Sequence, residues 1–244
     1  MKVGLFVPCY IDQFYPSVGI STLQLLEKFG CNVHYPPDQT CCGQPMANSG
    51  FASLTHGCNQ NFIKNFSGFD YVVAPSGSCV LHIKEHLHDE RNPEAAKEIR
   101  SRIFELTEFL TDVLKVETVE ARFPHRVGLH QSCHGQRMLH LASMSERVLP
   151  PFSKAEQLLK GVKGLELVKP ARVDECCGFG GTFCVTEEAV SVAMGEDRVS
   201  EHETNDVDYI TGGDTSCLMH LEGILRRKKS RIKIVHLAEI LNAQ

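Results

Sequence analysis

Eight of the eleven cysteines fall into two similar groups along the chain. Each group has a single cysteine, then a vicinal pair followed by glycine, then a last cysteine. The gaps are 31 and 36 residues in the first group, and 42 and 39 in the second. Converging thiolates bind iron-sulfur clusters or zinc, because soft sulfur donors select these over hard cations. The candidate ligands are Cys9, Cys41, Cys42 and Cys79 for one site, and Cys133, Cys176, Cys177 and Cys217 for the other.

The remaining cysteines, Cys31, Cys58 and Cys184, have no counterpart in the other group. We interpret these three as small buried hydrophobic residues. The same interpretation is weak for the other eight, because a four-cysteine pattern would have to recur by chance. An odd number of cysteines in a chain of 244 residues also argues against a disulfide framework.

The sequence around the cysteines is itself repeated. Residues 3–9 (VGLFVPC) return 124 positions later as VGLHQSC, and residues 69–79 (FDYVVAPSGSC) return 138 positions later as VDYITGGDTSC. The vicinal pairs lie between these segments in the same order. The sequence therefore predicts two homologous domains, residues 1–123 and 124–244.

Short apolar runs alternate with amphipathic segments in both halves. A helix is predicted where Ile20, Leu23 and Leu26 recur at helical spacing before Gly30. The predicted strands include residues 2–7, 32–35, 71–74 and 166–168. Strands that alternate with helices favour crossover units and a mainly parallel sheet. The predicted fold is α/β, with two homologous Rossmann-like parallel-sheet halves related by pseudo-twofold symmetry.

This fold would bring the cysteines of each half together. Cys9 and Cys133 follow the first predicted strand of their halves, and Cys79 and Cys217 follow a later one. Ligands of open α/β sheets bind at the carboxyl ends of the strands. We therefore expect four thiols to meet at one edge of each sheet, and the two sites to lie near a common face.

Histidines lie close to some of these cysteines. His130 and His134 flank Cys133 closely enough to hydrogen-bond near a cluster or to serve as a spare zinc ligand, although a polar residue without a ligand role is the more common case. His82 and His86 have helical spacing, and we interpret them as part of a solvated helix face rather than a metal-binding pair.

The overall composition excludes two classes of protein. The 25 basic residues are outnumbered by 30 acidic ones, for a net charge of -5, so no positive excess is available to bind a nucleic acid. No segment approaches the ~18 apolar residues of a transmembrane helix. Pro8 interrupts the apolar N-terminal residues before they could form a secretory signal. We expect a cytoplasmic protein.

The cysteine motifs resemble a known family. CCGQP at residues 41–45, PSGSC at 75–79 and CCGFGGTF at 176–183 resemble the tandem cysteine-rich CCG domain. Over essentially the whole chain the sequence is similar to the lactate utilization protein A family, which is related to the cysteine-rich subunit of heterodisulfide reductase. This resemblance implies an iron-sulfur electron-transfer subunit of an L-lactate oxidation complex. It also implies two partners, a ferredoxin-type iron-sulfur subunit and a third subunit.

The chain departs from the fullest form of the family motif at one position in each half. That form ends in CxxC, has five cysteines per half and supports noncubane four-iron clusters in heterodisulfide reductase. Here the first cysteine of the CxxC is Ser76 in one half and Asp214 in the other. Four thiols per half suffice for an ordinary 4Fe-4S cluster, for a cluster with an oxygen ligand or for zinc.

Two other functions stay open on the sequence alone. One is thiol-disulfide reduction, as in heterodisulfide reductase, which the missing fifth cysteine disfavours. The other is a zinc-stabilised interaction module without a redox role. No catalytic serine-histidine-acid or paired-carboxylate arrangement can be assembled from the sequence spacing, so hydrolysis has no support.

Overall fold

Two four-stranded parallel sheets organise the chain. The computed structural model describes residues 1–148 and 150–244. The first sheet has the strand order β2-β1-β3-β4, and the second has the equivalent order β6-β5-β7-β8. The strands are β1 Lys2–Leu5, β2 Asn32–His34, β3 Tyr71–Ala74, β4 Ile103–Glu105, β5 Arg126–Leu129, β6 Glu166–Val168, β7 Tyr209–Gly212 and β8 Lys233–His236.

Helices connect the strands and cover the sheets. The helix predicted around Leu23 is confirmed; it is followed by Gly30 with a φ of +78°, a left-handed conformation that glycine adopts without strain. A 3₁₀ segment covers Ala52–Thr55, and π-helical segments cover Phe109–Val113 and His134–Met138. The helices are α1 Cys9–Phe14, α2 Pro16–Lys28, α3 Gln44–Asn48, α4 His56–Phe66, α5 Gly77–His86, α6 Pro93–Arg102, α7 Leu106–Glu108, α8 Lys154–Leu159, α9 Phe183–Thr186, α10 Glu188–Thr204, α11 Thr215–Lys228 and α12 Leu237–Leu241.

The predicted α/β class and the parallel sheets are confirmed. Strands β1 and β3 pair Leu5 with Val73, and β5 and β7 pair Leu129 with Thr211 in the equivalent register. The central strands are buried on both faces, as helices on both sides of a parallel sheet require. The first sheet ends at Glu105 and the second begins at Arg126. The domain boundary between residues 123 and 124 stays a prediction.

The two halves share one apolar core. Val3 and Leu5 of the first sheet, Val127 and Leu129 of the second, and residues of α2, α8 and α12 form one buried cluster. A further cluster lies on the other side of each sheet. No helix found among the described residues combines the length and apolar character needed to span a bilayer.

A pseudo-twofold axis relates the halves. Ser76 and Asp214, which occupy equivalent positions 138 residues apart, form an isolated antiparallel bridge with each other. A residue meets its own equivalent only where a twofold axis passes between the two. This contact lies just after β3 and β7, at the carboxyl ends of both central strands.

A buried carboxylate also lies where the halves meet. Glu105 is 1% exposed, and its Oε2 accepts hydrogen bonds from the backbone N–H groups of Thr107 and Glu108 at the start of α7. Its Oε1 has no hydrogen-bond partner among the described residues, and it lies against Gly213 of the other half. Desolvation raises the pKa of Glu105 from 4.5 to about 7.

We expect Glu105→Gln to change how stability depends on pH. Between about pH 4.5 and 7, Glu105 is protonated in the folded chain and ionised in the unfolded chain. Its contribution to the free energy of unfolding is therefore greatest below pH 4.5 and is lost as pH rises through 7. The loss amounts to roughly 3 kcal/mol. The variant should therefore gain stability relative to the native chain as pH rises across this window, measured by urea unfolding at several pH values.

The comparison between variant and native chain isolates Glu105, because buried histidines with lowered pKa values act with the opposite sign in the same range. Glu117→Gln, at an exposed position, provides the matched control for a glutamate-to-glutamine change outside the core. A difference between Glu105→Gln and the native chain that is independent of pH would contradict the prediction.

Candidate metal centre

One cavity between the halves receives both groups of cysteines. Its volume is about 360 Å³. Residues from both halves, including Tyr10 and Phe179, form its wall, and these two rings are in edge-to-face contact with centroids 6.0 Å apart. All eight candidate ligands line it, namely Cys9, Cys41, Cys42, Cys79, Cys133, Cys176, Cys177 and Cys217.

Parallel strands and the helices after them place these thiols. Cys9 begins α1 shortly after β1, and Cys133 directly precedes the π-helical turn that follows β5. Cys79 and Cys217 are each the third residue of a longer helix, α5 and α11. Cys79 and Cys217 therefore lie in the first turn of a helix that begins at the carboxyl end of a central strand.

The glycine after each vicinal pair has a local structural role. Gly43 has a φ of +93° and Gly178 a φ of +90°, the left-handed region in which other residues are strained. This conformation lets the backbone N–H of Gly43 donate to the Sγ of Cys41, and that of Gly178 to the Sγ of Cys176, both at 3.4 Å. The glycines thus turn the chain back onto the first sulfur of each pair.

Each half favours the same thiol as its anion. The neighbouring thiols of Cys42 and Cys9 lower the pKa of Cys41, and those of Cys133 and Cys177 lower the pKa of Cys176, because a protonated thiol beside a thiolate stabilises its charge. The pKa values of Cys9 and Cys133 are raised in turn, and the Cys9 thiol donates to Cys41 at an Sγ–Sγ distance of 3.7 Å. The repeat therefore preserves which thiol of each group is favoured as the anion.

A histidine accompanies each favoured thiolate. His82 and His220 occupy equivalent positions, three residues after Cys79 and Cys217. Desolvation lowers the pKa of both, and the charge of Cys41 or Cys176 acts on each in the opposite direction. The prediction of a solvated helix face is wrong for His82, which is 4% exposed, because α5 packs against β4, α6 and the π-helical turn of the other half. The shared offset of 138 was the signal that could have identified this pair.

His130 lies deeper, beside the second group of cysteines. One of its ring nitrogens and the Sγ atoms of Cys177 and Cys217 all lie within 4.8 Å of one another. All three residues are buried. The equivalent position in the first half is Phe6, which cannot act as a ligand.

Ser76 and Asp214 bind each other. The Ser76 hydroxyl donates to Oδ1 of Asp214 at 3.0 Å, the Ser78 hydroxyl donates to the same oxygen at 2.9 Å, and the Ser78 backbone N–H donates to Oδ2 at 2.8 Å. Both Ser76 and Asp214 are nearly inaccessible to solvent. The position of the fifth family cysteine is thus used for a contact between the halves.

The three cysteines without counterparts have different environments. Cys31 is buried in the shared core, as predicted. Cys58 and Cys184 are only partly buried, so the interpretation as core residues is wrong for both. Cys58 lies near enough to Cys41 for that thiolate to raise its pKa, after the larger effect of desolvation, whereas the Cys184 thiol donates to the carbonyl of Gly181.

The expected common face is therefore present, and two soft donor sets open onto it. All eleven cysteines are free thiols. Four thiols per half, one of them favoured as an anion, are the donor chemistry that iron-sulfur clusters and zinc require. Clustered cysteines of this kind suggest metal binding; which metal or cluster they hold, and the ligand role of each of the eight, remain predictions.

Sequence comparison finds the same motif and full-length relatives. The family described as "Cysteine-rich domain", CCG, matches residues 3–84 and 127–222. Lactate utilization protein A of Geobacillus sp. (strain WCH70) is 42% identical over 248 residues, covering 100% of both chains. The protein of the same name from Shouchella clausii (strain KSM-K16) is 43% identical over 248 residues and also covers 100% of both chains.

A solved structure with little sequence similarity shares the fold. A hypothetical protein from Helicobacter pylori superposes with a TM-score of 0.61 at 15% identity, covering 98% of this chain and 48% of that chain. The chain thus spans about half of that protein, and the likeness concerns the fold alone.

We expect Asp214→Asn to weaken the contact between the halves without removing a metal ligand. An asparagine cannot accept all three hydrogen bonds, and its NH₂ group faces a donor from the first half, so stability should fall by about 1–3 kcal/mol. Guanidinium unfolding measures this loss, and metal analysis of the folded variant should match the native chain.

The exposed Asp197→Asn is the control, with an expected change within about 0.5 kcal/mol. A folded Asp214→Asn protein that has lost most of its metal would instead identify Asp214 as an oxygen ligand.

Proposed function

Because the chain belongs to the lactate utilization protein A family and carries its two cysteine-rich CCG domains, we propose that it is the iron-sulfur electron-transfer subunit of a complex that oxidises L-lactate to pyruvate. One observation carries this proposal: eight thiols, four from each half and in the same order along each half, face a single cavity. Two donor sets that share a cavity suit a path for electrons better than they suit two separate structural ions.

Four residues would hold the group in each half. Cys9, Cys41, Cys42 and Cys79 serve the first half, and Cys133, Cys176, Cys177 and Cys217 serve the second. When bound, an iron-sulfur cluster of the 4Fe-4S type accepts and donates single electrons. The chain's own contribution is to keep Cys41 and Cys176 ionised, to bury Cys42, Cys177 and Cys217 away from water, and to hold both halves in fixed relation.

The oxidation of lactate itself is best placed in a partner subunit. A site for an α-hydroxy acid needs a cation for the carboxylate and a base for the hydroxyl proton. None of the described residues that line the cavity is lysine or arginine. The sequence also lacks a flavin or nicotinamide fingerprint. We propose that a ferredoxin-type subunit and a third subunit supply the remaining cofactors in a cytoplasmic complex.

A zinc-stabilised interaction module is the second candidate, and one distance favours it. A tetrahedral zinc ion with Zn–S bonds of about 2.3 Å holds its sulfur ligands about 3.8 Å apart. The Sγ atoms of Cys9 and Cys41 are 3.7 Å apart. Thiol-disulfide reduction at a five-thiol cluster is disfavoured, because Ser76 and Asp214 are engaged with each other.

We expect Cys41→Ser and Cys176→Ser each to lower the iron and acid-labile sulfide content of anaerobically purified protein. A serine hydroxyl is a harder and much less acidic donor than a thiol, so roughly half of the iron should be lost from either variant. Elemental analysis, sulfide assay and the visible absorption spectrum measure the effect.

Cys58→Ser is a stringent control for this experiment, because Cys58 lies near Cys41 but has no equivalent in the repeat. Its iron content should equal that of the native chain. Unchanged iron and sulfide in both vicinal-pair variants would refute the ligand assignment, and colourless protein that contains zinc would favour the second candidate.

We also expect the isolated, iron-loaded chain not to oxidise L-lactate with an artificial electron acceptor. A cluster passes single electrons and takes no hydride from carbon. Dye reduction should appear when the chain is mixed with its partner subunits and disappear when Cys217→Ser replaces the native chain. Robust turnover by the chain alone would place the catalytic site here instead.

A further inference from the structure

The two halves differ behind their cysteines. In the first half, three phenyl rings pack together behind the cysteines: Phe6 meets Phe62 edge to face with ring centroids 4.9 Å apart, and Phe66 in the same way at 5.7 Å. All three are buried and belong to the apolar cluster that contains Cys42. The first site therefore rests on an apolar floor.

The second half has polar residues in the same places. His130 occupies the position of Phe6 in the repeated strand segment. On the equivalent helices, α10 has Arg198 and His202 at the positions where α4 has Phe62 and Phe66, and the offset between the two pairs is 136 residues. The glycine pair Gly4 and Gly128 supports this equivalence, because a Cβ added to Gly4 would meet Phe69 first and then Phe66, and one added to Gly128 would meet His202. The second site therefore rests on two imidazoles and a guanidinium.

This polar floor is buried and incompletely hydrogen-bonded. Arg198, His202 and His130 are 0%, 1% and 3% exposed. Arg198 donates to the carbonyl of Arg172 and to Glu201, but its Nε, the Nε2 of His202 and both ring nitrogens of His130 have no hydrogen-bond partner among residues 1–148 and 150–244. Each unsatisfied buried polar group costs about 1–3 kcal/mol, so a function must outweigh this cost.

His130 is the member of this group that faces the thiols. One ring nitrogen lies within 4.8 Å of the Sγ atoms of both Cys177 and Cys217, and those two atoms are equally close to each other. A tetrahedral ion bound at ~2.0–2.3 Å would hold such donors within about 4 Å of one another, so a small side-chain adjustment suffices. The ring does not donate a hydrogen bond to either sulfur in this arrangement.

We propose that His130 is a nitrogen ligand of the metal group in the second half. The two sites then differ chemically: the first has sulfur donors only, whereas the second combines thiolates with a neutral imidazole. Thiolate and imidazole together suit iron and zinc, and exclude Mg²⁺ and Ca²⁺, which prefer oxygen.

A further consequence rests on the proposed electron-transfer function, although the ligand assignment does not. A group with four ligand positions that takes His130 as one donor binds only three of the four thiols of the second half. This exchange of a thiolate for a neutral imidazole removes negative charge from a cluster and raises its reduction potential. Electrons that enter the chain should therefore collect on the second half.

Pulsed electron paramagnetic resonance of the reduced full chain tests the assignment. Cys41→Ser combined with Cys42→Ser confines the metal to the second half, and Cys176→Ser combined with Cys177→Ser confines it to the first. We expect strong coupling to a metal-bound nitrogen only in the protein with an intact second site, and a change in that coupling when histidine is labelled with ¹⁵N.

Substitution of the nearby histidines identifies the nitrogen. His130→Phe, which copies the first half, should abolish the coupling and weaken metal binding at least as much as loss of an outer-shell partner does, about 10–100-fold. His134→Gln and His220→Gln should keep the coupling. If His130→Phe does not fold, His130→Asn takes its place.

The outcomes separate this inference from the proposed function. Iron and sulfide in the second half without nitrogen coupling, or coupling that persists in the His130 variant, would overturn the ligand assignment and leave electron transfer intact. Zinc in place of iron would overturn the proposed function. X-ray absorption at the zinc edge would then decide the assignment, with a nitrogen scatterer at about 2.0–2.1 Å supporting His130 and its absence refuting it. A second half that binds no metal would refute it as well.

Discussion

The hydrogen bonds of Asp214 across the pseudo-twofold axis are the contact on which the cavity depends. Its carboxylate accepts from the Ser76 and Ser78 hydroxyls and from the first turn of α5, so the second half caps a helix of the first. The same helix carries Cys79, and the strand that ends before Asp214 leads into the helix with Cys217. A shift of this contact would therefore move the last thiol of both donor sets at once.

The shared apolar core stabilises the interface between the halves, so the buried polar contact of Asp214 does not have to hold the halves together by itself. Apolar residues of both sheets pack into one cluster, and they contribute non-directional stabilisation. The charge-assisted hydrogen bonds then set the orientation of the halves. Glu105 belongs to the same interface. Its Oε1 accepts no hydrogen bond from the part of the chain that the structure describes, because this helix cap packs against Gly213 of the other half.

Duplication has kept the donor chemistry while the support behind it changed. The vicinal pair, the left-handed glycine and the histidine after the last cysteine occur in both halves. Phenyl rings support one site, and imidazole and guanidinium groups support the other. Since the environment of a metal group sets its potential and affinity, two sites with similar thiols can serve as unequal partners.

The sequence by itself determined the two groups of cysteines, the repeat, the parallel sheets and the meeting of both groups at the carboxyl edges. These follow from local properties: the chemistry of thiols, hydrophobic periodicity in strands such as Tyr71–Ala74, and the position of each cysteine just after a strand. Only the tertiary structure decided that Ser76 binds Asp214, that His82 is buried and that His130 lies beside Cys177 and Cys217. Each depends on packing between elements far apart in the chain, and sequence spacing does not specify which face of a helix another half will cover.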